Sequence, residues 1–225
     1  MRILLALGLA SAAFGNTRAV IVSDIGNEPD DQMSLTRLLV YSNEIEIEAL
    51  IASTSTWQKT AVHPETMRAL IEAYGQVRPN LLQHAQGWPA AEELLRRVYS
   101  GPRGYGMAGI APESLSEGAA ALIRAADKDD ARPLWICIWG GAHTLAEALG
   151  RVRSTRSAAA LDAFVKSCAS IPSPIRTMRG RGSGASFLGF FTSCSRRAPI
   201  AASIITPPGR ASAGTFIIAT ARART

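Results

Sequence analysis

Cysteine is scarce in this chain, with three in 225 residues: Cys137, Cys168 and Cys194. Residues 1–166 hold Cys137 alone, which excludes a disulfide framework or a Cys/His zinc arrangement there. After the first twenty residues no apolar run is long enough to span a membrane. Acidic residues stop altogether at Asp162, and this gap reassigns the net charge of +6. Residues 167–225 carry eight Arg and no acid, leaving sixteen basic residues against eighteen acidic ones in residues 1–166. The basicity belongs to the tail, so the body gives no reason to expect a nucleic-acid partner.

What is present is ample apolar content, 47% of residues, enough for one domain with a real core. The first 18 residues read as a secretory signal. Arg2 supplies the positive end, Ile3 to Phe14 the apolar stretch, and Ala13-Phe14-Gly15 a small-residue cleavage point. The expected location is secreted or periplasmic, with no membrane attachment once the signal is removed.

Between residues 19 and 166 strands and helices alternate. Ala19–Ser23, Glu46–Ser53 and Pro133–Trp139 are short, β-branched and apolar, as strands buried on both faces are. Helical spacing is expected over Asp30–Ser42 (with Met33, Leu35, Leu38 and Leu39 as its apolar positions), His63–Val77, Ala90–Tyr99, Ser116–Ala126, His143–Val152 and Ser157–Lys166. Asp30 or a neighbour is expected to cap the first helix, and Ser116 stands near a capping arrangement. The pattern predicts an α/β domain with a Rossmann-like, three-layer parallel sheet. Such sheets bind ligands at the carboxyl ends of their strands, where Asp24 and Gly140 both fall.

From Ser167 the periodicity dissolves into Pro, Gly, Ser and Arg, which as written reads as a disordered basic tail. Back-translation shifted to start at each third codon base gives different text from Lys166 to Cys194. It contains the string SDPDDAGAW between a strand-like and a helix-like stretch. Residues 167–225 are therefore expected to be translated out of frame, which nucleotide sequencing across the Lys166 codon tests.

The stretch AVIVSDIGNEPDDQMSLTRLL places Asp24, Asp30 and Asp31 where a strand gives way to a helix. Converging carboxylates repel unless a cation or hydrogen bonds compensate, and a hard cation such as Ca²⁺ takes six to eight oxygens from carboxylates, carbonyls and water. The plain alternative is that Asp30 and Asp31 only favour the helix dipole.

DIGNEPDDQMSL resembles the N-terminal motif of the nucleoside hydrolase superfamily. SDIGNEPDDQMSLTRLLVYSNEIEIEALIASTSTW, YGQVRPNLLQHAQGWP, GYGM and RPLWICIWGGAHTLAEAL resemble more closely the secreted cellulose-binding, nucleoside hydrolase-like family. The likeness covers about Ala19 to Lys166, so the domain is expected to be of the nucleoside hydrolase type and incomplete at its C-terminus. The resemblance implies Asp24 and Asp31 as ligands of Ca²⁺, with Asp24 also the base for a metal-bound water. It further implies Asp30 on sugar hydroxyls and the backbone of Gly140 completing the metal shell. The implied ligand is a nucleoside, sugar or polysaccharide, and the implied reaction is hydrolysis of an N-glycosyl bond; the alternative is a binding module without chemistry.

The chain departs from that pattern. The acidic loop is two residues longer, so Asn27 and Glu28 are candidate ligand contacts without a secure counterpart. Ser53-Thr54-Ser55-Thr56-Trp57 stands where a ribose-contacting Asn is usual, and the late His/Asp pair is missing.

Trp57, Trp88 and Tyr105 fall in loops, where they either stack on sugars or anchor the loop. Trp139, beside Gly140-Gly141, is a site candidate. His143, at a helix start, is a candidate ligand contact, with an exposed or capping role as the plainer expectation. His63 and His84 receive no role, and Cys137 is expected to be an inert core thiol.

Overall fold

Thr17–Ser23 forms β1, with Val20 and Val22 on one face and Ala19 and Ile21 on the other. All four are nearly inaccessible, as befits the middle strand of a parallel sheet covered on both sides. A computed structural model describes residues 16–111 and 113–172, and the remaining elements follow in chain order. They are α1 Pro29–Val40, β2 Ile45–Ala52, α2 Pro64–Leu81, α3 Ala91–Leu95, β3 Val98–Ser100, a 3₁₀ turn Met107–Gly109, α4 Glu117–Ala126, β4 Leu134–Ile138, α5 His143–Thr155, α6 Ala158–Ser167 and β5 Cys168–Pro172. The five strands lie in the order β3-β2-β1-β4-β5, every pair parallel. The expected leader up to residue 15 and the tail beyond residue 172 lie outside the described residues. Among the described residues no helix is long and apolar enough to cross a membrane.

Two cores flank the sheet. Leu35, Leu38, Leu39, Met67, Ile71, Tyr74 and Leu94 from α1, α2 and α3 pack on one face. Leu122, Leu145, Val152 and Phe164 from α4, α5 and α6 pack on the other. This is the three-layer α/β arrangement expected from the alternation. Ser116 caps α4, its Oγ accepting from the Ala119 amide at 3.1 Å, and the buried Glu147 of α5 accepts from both the Ser116 amide and hydroxyl.

Several expectations are corrected. Ala90–Tyr99 is not one helix: α3 stops at Leu95 and Val98–Ser100 pairs with β2 as the sheet edge. Leu94 and Val98 are four apart and face the same core, which mimics helical spacing. Pro29, not Asp30, opens α1, and Glu28 at its N-cap makes no side-chain cap. Met33 is 67% exposed rather than core-facing. Past Ser167 the chain still forms β5, with Cys168 opposite Leu134. Arg18, which falls in the span 1–18 read as leader, is a β1 residue only 2% exposed.

Glu48 explains where Arg18 goes. The β1–β2 register shifts between Ala19 and Val20, which pair with Ile47 and Ala49, so Glu48 bulges from the ladder. Its carboxylate accepts from Arg18 Nε at 2.7 Å and from Lys128 Nζ at 2.9 Å.

Chain order sets the position of the site. From β1 the chain steps outward to β2 and β3, then returns to lay β4 against the other side of β1. The direction reverses between β1 and β4, and sheets of this topology take their ligands at such a point, in the crevice at the carboxyl ends of the strands.

Candidate functional site

Asp24 follows β1 directly, and Gly140 lies just beyond the end of β4. The Trp139 amide donates to the Val22 carbonyl at 2.8 Å, extending the ladder into the crevice. Gly140 then packs so tightly that a Cβ would sit 2.8 Å from the Asp24 amide nitrogen and 2.9 Å from its Oδ1. Gly140→Ala should therefore force the β4 end away from Asp24 and cost about 1–3 kcal/mol, read as a shift in urea midpoint.

Asp31 reaches the same place from the first turn of α1. Its Oδ2 accepts from Ser23 Oγ at 2.7 Å, and Ser23 Oγ in turn accepts from the Ile25 amide at 3.0 Å. Asp24 and Asp31 are each 9% exposed. Burial pushes the Asp31 carboxyl up to about 7, and the nearby Asp24 and Asp30 charges add to that, against the Ser23 hydrogen bond. Asp30 sits half-buried on the rim. Asn27 and Glu28 are exposed; the Asn27 amide closes the turn on the Asp24 carbonyl at 3.3 Å.

These groups suit a hard cation in kind: two buried oxygen donors drawn together with no positive charge between them. Among the described residues, however, no three His, Cys, Asp or Glu side chains gather closely enough to hold a metal by themselves. Asp24 and Asp31 alone do not make a metal shell; for a cation to sit here, backbone carbonyls, water or a ligand would have to supply the rest.

The β2–α2 connection forms the neighbouring wall. Ser55 Oγ accepts from the Trp57 and Gln58 amides, both at 3.1 Å, fixing a tight turn. Gln58 Nε2 then donates to the Asp24 and Ile25 carbonyls at 3.3 and 3.4 Å. Trp57 rides this turn 65% exposed, so the loop-anchor reading fails for it. That reading holds for Trp88, which is 8% exposed and donates to the Val40 carbonyl at 2.8 Å. Trp139 is half-buried against the α1–α2 core.

His143 is neither exposed nor a cap. It is 5% exposed, with Nε2 2.9 Å from Thr54 Oγ1 and the Tyr105 ring edge-on at 5.9 Å. Burial pulls it down to about 4, so it stays neutral at physiological pH; the nearby Pro102 carbonyl works the other way. Nδ1 completes no hydrogen bond among the described residues and faces Gly141, whose Cβ would lie 2.6 Å from it. His143 therefore packs between Thr54 at the end of β2 and Tyr105 of the 101–106 loop. Cys137 is half-buried, and burial raises its thiol to about 11, consistent with an inert role.

Ser23 and Gln58 are the residues that sequence reasoning missed. Ser23 was legible as the last strand residue before an acidic loop; Gln58 was not, because its contact depends on how the loop folds back.

A family model described as "Cellulose-binding Sde182, nucleoside hydrolase-like domain" matches residues 18–171. Among solved structures, the chain is similar to a nucleoside hydrolase-related hypothetical protein from Saccharophagus degradans that is associated with carbohydrate metabolism. The two share 39% sequence identity with a TM-score of 0.68; the match covers 70% of this chain and 38% of that one. No curated protein matches the chain.

Proposed function

Because this chain belongs to the cellulose-binding, nucleoside hydrolase-like domain family, we propose that it binds carbohydrate in the crevice between β1 and β4, through acidic side chains and a divalent cation. The observation that carries this reading is the pairing of two buried carboxyls, Asp24 and Asp31, at the switch point of the sheet. A cation there answers their mutual repulsion, and sugar hydroxyls complete an oxygen shell well. Calcium is the ion this reading calls for, held by Asp24, Asp31 and the Gly140 backbone, with Asp30 on the rim for hydroxyls. Calorimetric titration of the chain with cellohexaose or ribose, with calcium and with chelator, tests it; equal heats in both buffers, or no binding at all, would count against it.

Trp57 gives a polysaccharide a flat face beside the crevice. Trp57→Ala is expected to weaken retention on cellulose about fivefold, the equivalent of roughly 1 kcal/mol. Its melting temperature should not move, since the ring is 65% exposed.

Hydrolysis of an N-glycosyl bond is the second reading, favoured by an Asp24 carboxyl within hydrogen-bonding reach of a partner that titrates near neutrality. In it Asp24 takes the proton of an attacking water, Asp30 tightens on hydroxyls as positive charge develops at the anomeric carbon, and bound calcium would supply a more acidic water. Release of free base from inosine separates the two readings. Export of the chain and the out-of-frame origin of the tail belong to the same proposal.

A further inference from the structure

We propose that His63, oriented by Glu65, is a further ligand-contacting residue on the lip of the acidic crevice, accepting a hydrogen bond from a sugar hydroxyl at Nε2. This rests on the carbohydrate reading of that crevice.

The orientation comes first. His63 Nδ1 lies 2.7 Å from Glu65 Oε1. A carboxylate only accepts, so Nδ1 carries the hydrogen, and in the neutral form of the ring the lone pair is at Nε2. The ring then lies along the acidic loop. A Cβ on Gly26 would be 2.9 Å from His63 Cδ2 and 3.1 Å from Cγ, and Gly26, two residues after Asp24, is left-handed with φ +101°. Cδ2, the ring atom nearest that loop, is the neighbour of Nε2, whereas Nδ1 is engaged by Glu65. His63 is fixed in place just before Pro64, its carbonyl accepting from the Thr66 amide at 3.2 Å. Its side chain is 35% exposed, and Nε2 has no hydrogen-bond partner among the described residues.

The β2–α2 connection therefore grips the acidic loop at two points, Gln58 on the Asp24 and Ile25 carbonyls and His63 on Gly26. Trp57 lies on the same connection. The ligand class follows from the lining. Asp24, Asp30 and Asp31 only accept hydrogen bonds when ionised, and His63 Nε2 adds another acceptor. A polyhydroxylated ligand supplies hydroxyl donors to Nε2 and to the carboxylate oxygens that a cation leaves free, and its hydroxyl oxygens can also complete the cation's shell.

The test uses the 225-residue chain in calcium, with cellohexaose and ribose as probes. In ¹⁵N-edited histidine spectra of the unaltered chain, the His63 Nε2 resonance should move on saturation with at least one probe. Calorimetry should show His63→Ala binding it at least fivefold more weakly. Glu65→Gln, altering a side chain that is 66% exposed, should cost two- to threefold because the ring's tautomer is no longer fixed. If Asp31→Asn abolishes binding while His63→Ala leaves it unchanged, or the Nε2 resonance stays still, the His63 assignment is overturned and the crevice reading stands. If the unaltered chain binds neither probe, both fall together.

Discussion

Arg18→Met should lower the unfolding free energy by about 3–5 kcal/mol, the range for removing one member of a buried ion pair. The guanidinium is 2% exposed, donates to three acceptors and pairs with a second carboxylate. Nε donates to Glu48 Oε1 at 2.7 Å and lies 3.5 Å from Asp130 Oδ2. Nη2 donates to the Ala125 carbonyl at 2.6 Å and Nη1 to the Arg132 carbonyl at 3.3 Å. One side chain thus ties the central strand to the β2 bulge, to the end of α4 and to the approach of β4. Methionine fills most of the volume but leaves the carboxylate and two carbonyls short of a donor. Lys128→Ala is the control. Lys128 is 49% exposed and also binds Glu48, so its loss should cost less than about 1 kcal/mol. Urea denaturation of both variants at neutral pH checks the contrast. Asp130 adds a pH signature. Hydrogen bonds from Arg132 hold its carboxyl well below the ordinary range. Its contribution is complete above the unfolded-state value and is lost as pH falls toward the folded one, so the network weakens in acid.

Arg18 also marks where sequence reading fails. An arginine soon after an apolar N-terminal run belongs, on pattern alone, to a leader. Nothing in sequence announces that Glu48 will bulge out of register to meet it, because register is a property of two strands thirty residues apart. The acidic loop was legible for the opposite reason: strand, carboxylates and helix are adjacent, and their spacing is local. Val20, Val22, Ile136 and Ile138 could be assigned to the sheet because each strand is apolar on both faces. The edge strand Val98–Ser100 could not, since three residues carry too little pattern and pairing with β2 decides their conformation. His143 was expected to be exposed or capping and is neither. That it meets Thr54 and Tyr105 depends on how the loop ending β2 and the 101–106 loop fold over the helix start.

Asp31→Asn should stabilise the cation-free protein near neutral pH while removing its response to calcium. The sign follows from linkage. Burial, with Asp24 and Asp30 nearby, raises the folded Asp31 carboxyl to about 7, above the ordinary 3.8. A folded state that holds its proton more tightly is most favoured below the unfolded value and loses that advantage as pH rises toward 7. A shift of about three units corresponds to at most about 4 kcal/mol lost across that window. In chelator, the melting temperature of the unaltered chain should therefore fall between pH 4.5 and pH 7.5, apart from effects shared by all variants. Calcium should restore it at pH 7.5 and do little at pH 4.5, where the proton occupies the ligand. Asparagine keeps an oxygen to accept from Ser23 Oγ and carries no charge beside Asp24, so the slope should flatten and calcium should lose its effect. Asp24→Asn should flatten it only in part, since burial, ahead of the Asp24 charge, is what raises the Asp31 carboxyl. A calcium-independent melting profile in the unaltered chain, with the same slope in both variants, would mean that the two carboxyls are satisfied within the fold and that the crevice is not a cation site.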